Sequence, residues 1–269
     1  MQTPQKSDWI TVASLAVLAY AATNVVHEGL GHGGACVLVG GVPQLLTSAN
    51  FECNTDGLTL WAARVVAASG TIANLIAGAL AVVTYRRSAA RGPTLRFFLW
   101  LFGTINVLTG LGYFLFSGVG RIGDWADVMA PVHPEWVWRV ALAGGGFVLY
   151  WIATQGAFVL LGRLIGGRPA DRFTDGKHLA LLSYATGAVL YGAAGALNPN
   201  GPRLLLISAA AASLGGTSGL WWGTNFLRRQ TVGRIADAPI RIASDARIVA
   251  VGVTTAFLFV YLLGPGIRL

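Results

Sequence analysis

Three side chains that can bind a metal or carry a proton lie together in the first apolar segment, at His27, Glu28 and His32. The stretch around them, NVVHEGLGHGGACVLVGG, is otherwise apolar apart from Asn24. In the motif H-E-x-x-H, two histidines share one helix face and bind zinc, and the glutamate acts as general base. The sequence therefore indicates a metal centre, with a buried hydrogen-bond network between helices as the simpler alternative.

The spacing of these histidines departs from H-E-x-x-H by one residue. On an ideal α-helix His27 and His32 diverge by roughly 140°. A π-bulge would bring them onto one face, and the four glycines between residues 29 and 34 make such a distortion cheap. On a regular α-helix, Glu28 and His32 would instead share a face, and Glu28 would be a ligand. The sequence leaves both arrangements open.

Further ligands are available after the third apolar segment, in SGVGRIGDWADVMAPVHPEW. We expect Asp124 to be the third ligand, and Asp127 or His133 to be the next candidates. Asn74 lies deep in the second apolar segment. It is predicted to bind substrate, although a hydrogen bond between helices is the common role of such a residue.

The composition is that of a membrane protein. Charged residues make up 11% of the chain, against about a quarter in soluble domains. We expect an all-α, polytopic transmembrane bundle in one integral membrane domain, residues 1–269, with the metal-site half at about 9–130 and additional helices at about 136–264. About seven spans of the ~20 residues that cross a bilayer are predicted. They are Trp9–Val39, Leu60–Tyr85, Thr94–Ser117, Trp136–Leu164, Leu179–Leu197, Arg203–Phe226 and Arg247–Gly264.

The basic residues predict an orientation. Counted on alternate sides of the seven spans, 14 of the 19 Lys and Arg residues lie on one side, which the positive-inside rule makes cytoplasmic. The N-terminus is then inside and the C-terminus outside a bacterial-type inner or plasma membrane. His27 lies about 27 Å along the first helix from Trp9, toward the outer face. The net charge of +8 is explained by topology, so the expected partner is the lipid bilayer and not nucleic acid.

The two cysteines flank the first outer loop. At an oxidising face, Cys36 and Cys53 are predicted to form a disulfide closing a loop of 16 intervening residues. Cys36 as a soft metal ligand is the alternative. The loop between them is interpreted as a re-entrant hairpin that covers the site.

The run H-E-x-L-G-H, followed some forty residues later by Ala68–Leu75 (ASGTIANL), resembles the site-2 protease family of intramembrane zinc metalloproteases. The resemblance implies that His27, His32 and Asp124 are zinc ligands and that Glu28 is the base that activates water. It covers roughly residues 24 to 127. The motif here carries an extra residue, and the family's zinc lies toward the cytoplasm, whereas the charge pattern here places the cluster toward the exterior.

Two functions follow as expectations. The first is a membrane-embedded metal-dependent hydrolase, site-2 protease-like, with its site toward the extracytoplasmic side and a peptide or other membrane substrate. Two histidines and a carboxylate suit Zn²⁺ and also Fe²⁺, with zinc preferred. The alternative is a non-catalytic membrane subunit or metal-binding accessory factor of a larger membrane complex.

Overall fold

The structure is a computed structural model that describes residues 7–166, 169–199, 214–229 and 241–269. It is predominantly helical, with one small sheet. The elements in chain order are α1 (Trp9–Asn24), a π-helix (Val25–Gly33), α2 (Gly34–Leu38), β1 (Val42–Leu46), β2 (Phe51–Asn54), α3 (Leu60–Arg87), α4 (Pro93–Gly120), α5 (Asp124–Met129), α6 (Glu135–Ile165), α7 (Pro169–Gly195), α8 (Gly219–Trp222), a 3-10 helix (Gly223–Arg229), α9 (Ala246–Leu258), a second π-helix (Phe259–Leu263) and β3 (Ile267–Arg268).

Among the described residues, five helical stretches are long and apolar enough to cross a membrane: Trp9–Leu38, Leu60–Arg87, Pro93–Gly120, Glu135–Ile165 and Ala246–Leu263. They correspond to the first four predicted spans and to the last one. The predicted fifth span falls largely within α7, which is not among the five. Most of the predicted sixth span lies outside the described residues. The all-α class is confirmed, and the count of seven is not.

Local signals explain where the long helices begin. The Asp8 side chain accepts a hydrogen bond from the Thr11 amide at 2.9 Å, and Thr59 caps α3 through the Ala62 amide at 3.3 Å. Such caps satisfy amides that the first helical turn leaves free. Pro93 begins α4, where its missing N–H costs nothing.

Helix α4 lies at the centre of the bundle and packs against α1, α3 and α6. Its Asn106 donates a hydrogen bond to Thr23 Oγ1 at 2.8 Å, which ties α4 to α1. Its Trp100 is fully buried in the main hydrophobic core. Helix α3 packs both on α4 and on the π-helix, and α5 packs on α3 and α4. Residues of the first span, α3 and α5 therefore come close together beside α4.

The three strands form an antiparallel sheet of order β2-β1-β3. Strands β1 and β2 make a hairpin between the two cysteines, and the prediction that this hairpin is re-entrant stays a prediction. The predicted disulfide is also confirmed, because Cys36 of α2 is bonded to Cys53 of β2. Asn24 donates a hydrogen bond to the Ser48 carbonyl at 2.9 Å. The hairpin is therefore fastened to the first span on both sides of the π-helix.

Candidate metal centre

The extra residue between the histidines is absorbed by a π-helix over Val25–Gly33. In a π-helix the backbone hydrogen bonds join residues five apart, so residues at i and i+5 come to the same face. His27 and His32 are both buried, and their Nε2 atoms lie 3.3 Å apart. The structure therefore has the widened form of the two arrangements that the sequence left open, and not the unbroken α-helix.

Two glycines bring helix α3 against this face. A Cβ atom on Gly31 would lie 2.6 Å from the Cα atom of Gly70, so the two backbones touch. A Cβ atom on Gly70 would lie 2.5 Å from His32 Nε2 and 2.8 Å from His27 Nε2. Real carbon atoms do not approach so closely, and only glycine at position 70 leaves room for the two imidazoles.

Asp124 reaches the histidines from the turn after α4. That turn contains two residues with positive φ, Arg121 at 56° and Gly123 at 80°. Asp124 then begins α5, with its Oδ2 atom 3.3 Å from His27 Nε2 and 3.5 Å from His32 Nε2. The structure thus brings together the three predicted ligands as a group that could hold a metal ion.

The geometry of the three donor atoms fits such an ion. Their separations are 3.3, 3.3 and 3.5 Å. In a tetrahedral zinc site with bonds of about 2.0–2.1 Å, neighbouring ligand atoms lie about 3.3–3.4 Å apart. The buried Asp124 Oδ2 has no hydrogen-bond partner of good geometry, although two ring nitrogens are close. Three ligand atoms at these separations, facing a common point, match a metal site in geometry.

The outer nitrogen of each imidazole is also held. His32 Nδ1 lies 2.7 Å from the Val66 carbonyl oxygen, which accepts the Nδ1–H and leaves Nε2 free as a ligand atom. His27 Nδ1 lies 3.1 Å from the Asn74 side-chain amide, and Asn74 Oδ1 is buried without a partner. With a metal on His27 Nε2, the Nδ1–H would donate to Oδ1 after a 180° turn of this amide. Such partners orient the histidines of metal sites.

This contact places Asn74 behind His27. Asn74 is fully buried and is not among the residues that line the cavity beside the candidate ligands. Its predicted role in substrate binding stays a prediction. The hydrogen bond to His27 supports a positioning role in the site.

We predict that Asn74→Leu weakens metal binding by about 10–100-fold, because His27 loses the acceptor that fixes its ring and tautomer. Asn74→Asp keeps an acceptor and should bind metal nearly as well as the unmodified protein. Competition with a chromogenic chelator measures both affinities. Unchanged affinity in Asn74→Leu would contradict this role for Asn74.

Glu28 lies next to the triad without belonging to it. It is buried, and it faces a cavity of about 470 Å³ that His32, Asp124 and the hairpin residue Phe51 also line. On another side, Glu28 borders a cavity of about 20 Å³ whose lining includes the polar residues Thr23 and Asn24, which is enough space for one water molecule. A carboxylate in this position can exchange protons with a water molecule beside the triad.

The carboxyl groups of α5 differ in their electrostatics. Burial raises the pKa of Asp124, but the adjacent imidazoles of His27 and His32 outweigh burial and hold the pKa well below its usual range. Asp124 is therefore ionised, as a metal ligand must be. Burial and the neighbouring Asp124 raise the pKa of Asp127. Asp127 lines the larger cavity without joining the ligand group, and the exposed His133 is not in that group either.

Two residues of the site were not singled out from the sequence. The Tyr113 ring stacks on His27, with centroids 4.6 Å apart and planes 18° apart, and it borders both cavities. A tyrosine in an apolar helix carries no signal for such a role. Gly70 lies within the ASGTIANL stretch that carries the family resemblance, but its contact with both imidazoles depends on how two helices pack.

Comparisons with known protein families, with characterised proteins and with solved structures found no match to this chain.

Proposed function

We propose that this chain is a membrane-embedded metal-dependent hydrolase of the site-2 protease type, with Zn²⁺ as its metal. The observation that carries the proposal is the near-equilateral triangle of His27 Nε2, His32 Nε2 and Asp124 Oδ2, with a second carboxylate, Glu28, beside it and outside it. Three protein ligands with an open fourth position are typical of catalytic zinc, whereas structural zinc is closed by four ligands.

Each residue then has a role in hydrolysis. A zinc ion bound here would lower the pKa of a coordinated water and polarise a carbonyl group. Glu28 would accept a proton from the attacking water and return it to the leaving group. The cavity of about 470 Å³ would admit a segment of peptide or another membrane substrate between the hairpin and α5.

The proposal includes an orientation in the membrane. The ends of α3 and α6 and the start of α4 carry Arg86, Arg87, Arg163 and Arg96, and we assign this end of the bundle to the cytoplasm of a bacterial-type cell. The site and the Cys36–Cys53 disulfide then lie toward the exterior, where disulfides persist. This orientation is opposite to that of site-2 proteases. With the site toward the exterior, the proposed substrates are peptides that reach it from outside the cell.

The test is Glu28→Gln, which keeps the size of the side chain and removes its basicity. We expect the purified variant to bind one metal ion per chain, as the unmodified protein does. Its cleavage of a mixture of quenched fluorescent peptides, in vesicles supplied with zinc, should fall by about 10²–10⁴-fold. Glu52→Gln is the matched control, because Glu52 lies on the hairpin and does not line the cavity.

Other outcomes would contradict the proposal. Equal peptide cleavage by Glu28→Gln and the unmodified protein would remove Glu28 as the base. Full metal occupancy with no cleavage by either protein would favour the alternative, a metal-binding accessory subunit.

A further inference from the structure

A third cavity, which shares no lining residue with the two beside the metal centre, opens between α3, α4 and α6. Its volume is about 370 Å³. Most of its lining is apolar or small: Val82, Gly103, Val107, Ala153, Gly156 and Leu160. A Cβ atom on Gly156 would meet nothing within 4 Å, so the absence of a side chain there leaves the groove open.

Two arginines stand at one end of this groove. Arg86 lies near the end of α3 and Arg163 near the end of α6, and both line the groove with exposed side chains. Among the residues that the structure describes, no carboxylate lies within ion-pair distance of either guanidinium. A third arginine, Arg96, lies over the Tyr85 ring at 5.1 Å. This end of the groove is therefore strongly positive, and the rest is apolar.

The groove has a fixed shape, because two hydrogen bonds join its walls. The Tyr85 hydroxyl donates to the Leu160 carbonyl at 2.9 Å, which ties α3 to α6. Trp100 Nε1 donates to the Ala157 carbonyl at 2.7 Å, which ties α4 to α6. Tyr85 and Trp100 are both buried, so the three helices are held around the groove and do not close it.

We propose that this groove binds one anionic phospholipid, with its phosphate on Arg86 and Arg163 and an acyl chain along α6 toward Ala153. Guanidinium groups match phosphate oxygens in geometry and charge. Basic pockets between transmembrane helices on the cytoplasmic side are typical sites for anionic head groups. This inference rests on the orientation proposed above and does not depend on the proposed hydrolase activity.

The size of the groove decides between a lipid and a protein partner. From Arg163 to Ala153 the groove follows α6 for about 15 Å. A helix about 10 Å across would need about 1,200 Å³ over that length, more than the groove of about 370 Å³ can enclose. A single acyl chain is thin enough to enter the groove. The surrounding bilayer supplies such chains, because the groove lies between helices proposed to cross the membrane.

The head-group test compares two double variants of the full chain that lose the same charge. Native mass spectrometry with dioleoyl phosphatidylglycerol should show one retained lipid, and Arg86→Gln with Arg163→Gln should weaken this binding at least tenfold. Arg87→Gln with Arg91→Gln is the control, because these exposed arginines lie at the same end without lining the groove. It should bind the lipid as the unmodified protein does. Equal loss in both double variants, or equal retention of phosphatidylcholine, would overturn the proposal.

The acyl-chain test fills the groove. Gly156→Leu should abolish retention of phosphatidylglycerol, and Gly144→Leu, at another open glycine of α6, should not. Retention by Gly156→Leu would overturn the placement of the chain. Inorganic phosphate that displaces the lipid at millimolar concentration would show a free-phosphate site, and a cross-link from Gly156→Cys to a second protein would show a protein partner. Both outcomes would overturn the proposal.

Discussion

Purified Asp124→Asn should contain almost no zinc, where the unmodified protein should contain about one ion per chain. The amide keeps the shape of Asp124 and removes the negative charge that lies 3.3 and 3.5 Å from the two ligand nitrogens. Loss of an outer partner of a ligand costs about 10–100-fold in metal affinity, and we expect the loss of a ligand to cost more. His27→Ala and His32→Ala should behave alike.

Two controls make this prediction specific to the triad. Asp127→Asn removes a carboxylate from the same short helix and the same cavity, and His133→Ala removes an imidazole from the segment that follows. Both should retain about one zinc ion per chain, measured by elemental analysis after gel filtration. Zinc retained in Asp124→Asn and lost in Asp127→Asn would show that the wrong carboxylate has been assigned. Zinc retained in every variant would show that the ion binds elsewhere and that the cluster of His27, His32 and Asp124 is a hydrogen-bond network.

The residue types of this site could be predicted because ionisable side chains inside a membrane span carry a high cost in free energy. His27, Glu28 and His32 lie inside an apolar span, and ionisable groups in a membrane indicate function. Asp124 could be chosen because it directly follows the third span and lies on the predicted outer side. The disulfide of Cys36 and Cys53 followed from the same prediction of sides. For the histidines, the carboxylates and the cysteines alike, the residue type and its place relative to the spans indicated a role without knowledge of the fold.

The local shape of the site could not be predicted in this way. The widened first span places Gly31 against Gly70, which belongs to a different helix, and the sequence of the first span alone left both arrangements open. The partner of Asn74 is likewise set by helix packing, since a buried asparagine can face a substrate or a histidine equally well. The pattern of apolar residues within one helix does not predict which other helix will pack against it.

The predicted number of spans was not confirmed for a related reason. The predicted fifth span falls largely within α7, which begins at Pro169 and carries charged residues such as Asp171 and Lys177 in its first half. The α7 helix is thus long enough to cross a bilayer, but it is not among the five apolar stretches. Length and helicity do not distinguish a membrane span from a helix that lies partly at the surface. The helix is therefore confirmed, and its crossing of the bilayer stays a prediction.

The second large effect is expected from Gly70→Ala, a change of one methyl group outside the ligand set. The new Cβ atom would lie 2.5 Å from His32 Nε2 and 2.8 Å from His27 Nε2, in the space where both donor atoms face Asp124. The imidazoles cannot move aside freely, because His32 is held by the Val66 carbonyl and His27 by its stacking on Tyr113. We expect metal affinity to fall on the order of 100-fold or more, beyond the loss from a missing outer partner.

A second crowded glycine on the same helix separates this effect from simple destabilisation. In Gly78→Ala the Cβ atom would lie 2.5 Å from Val107 Cγ2, away from the metal ligands. Overpacking at either glycine should cost about 1–3 kcal/mol of stability, seen as a lower midpoint in thermal unfolding of the metal-free proteins. Only Gly70→Ala should also lose zinc in chelator competition. If both variants bind zinc equally well, the histidines have room that the structure does not give them, and the assigned geometry of the ligands is wrong.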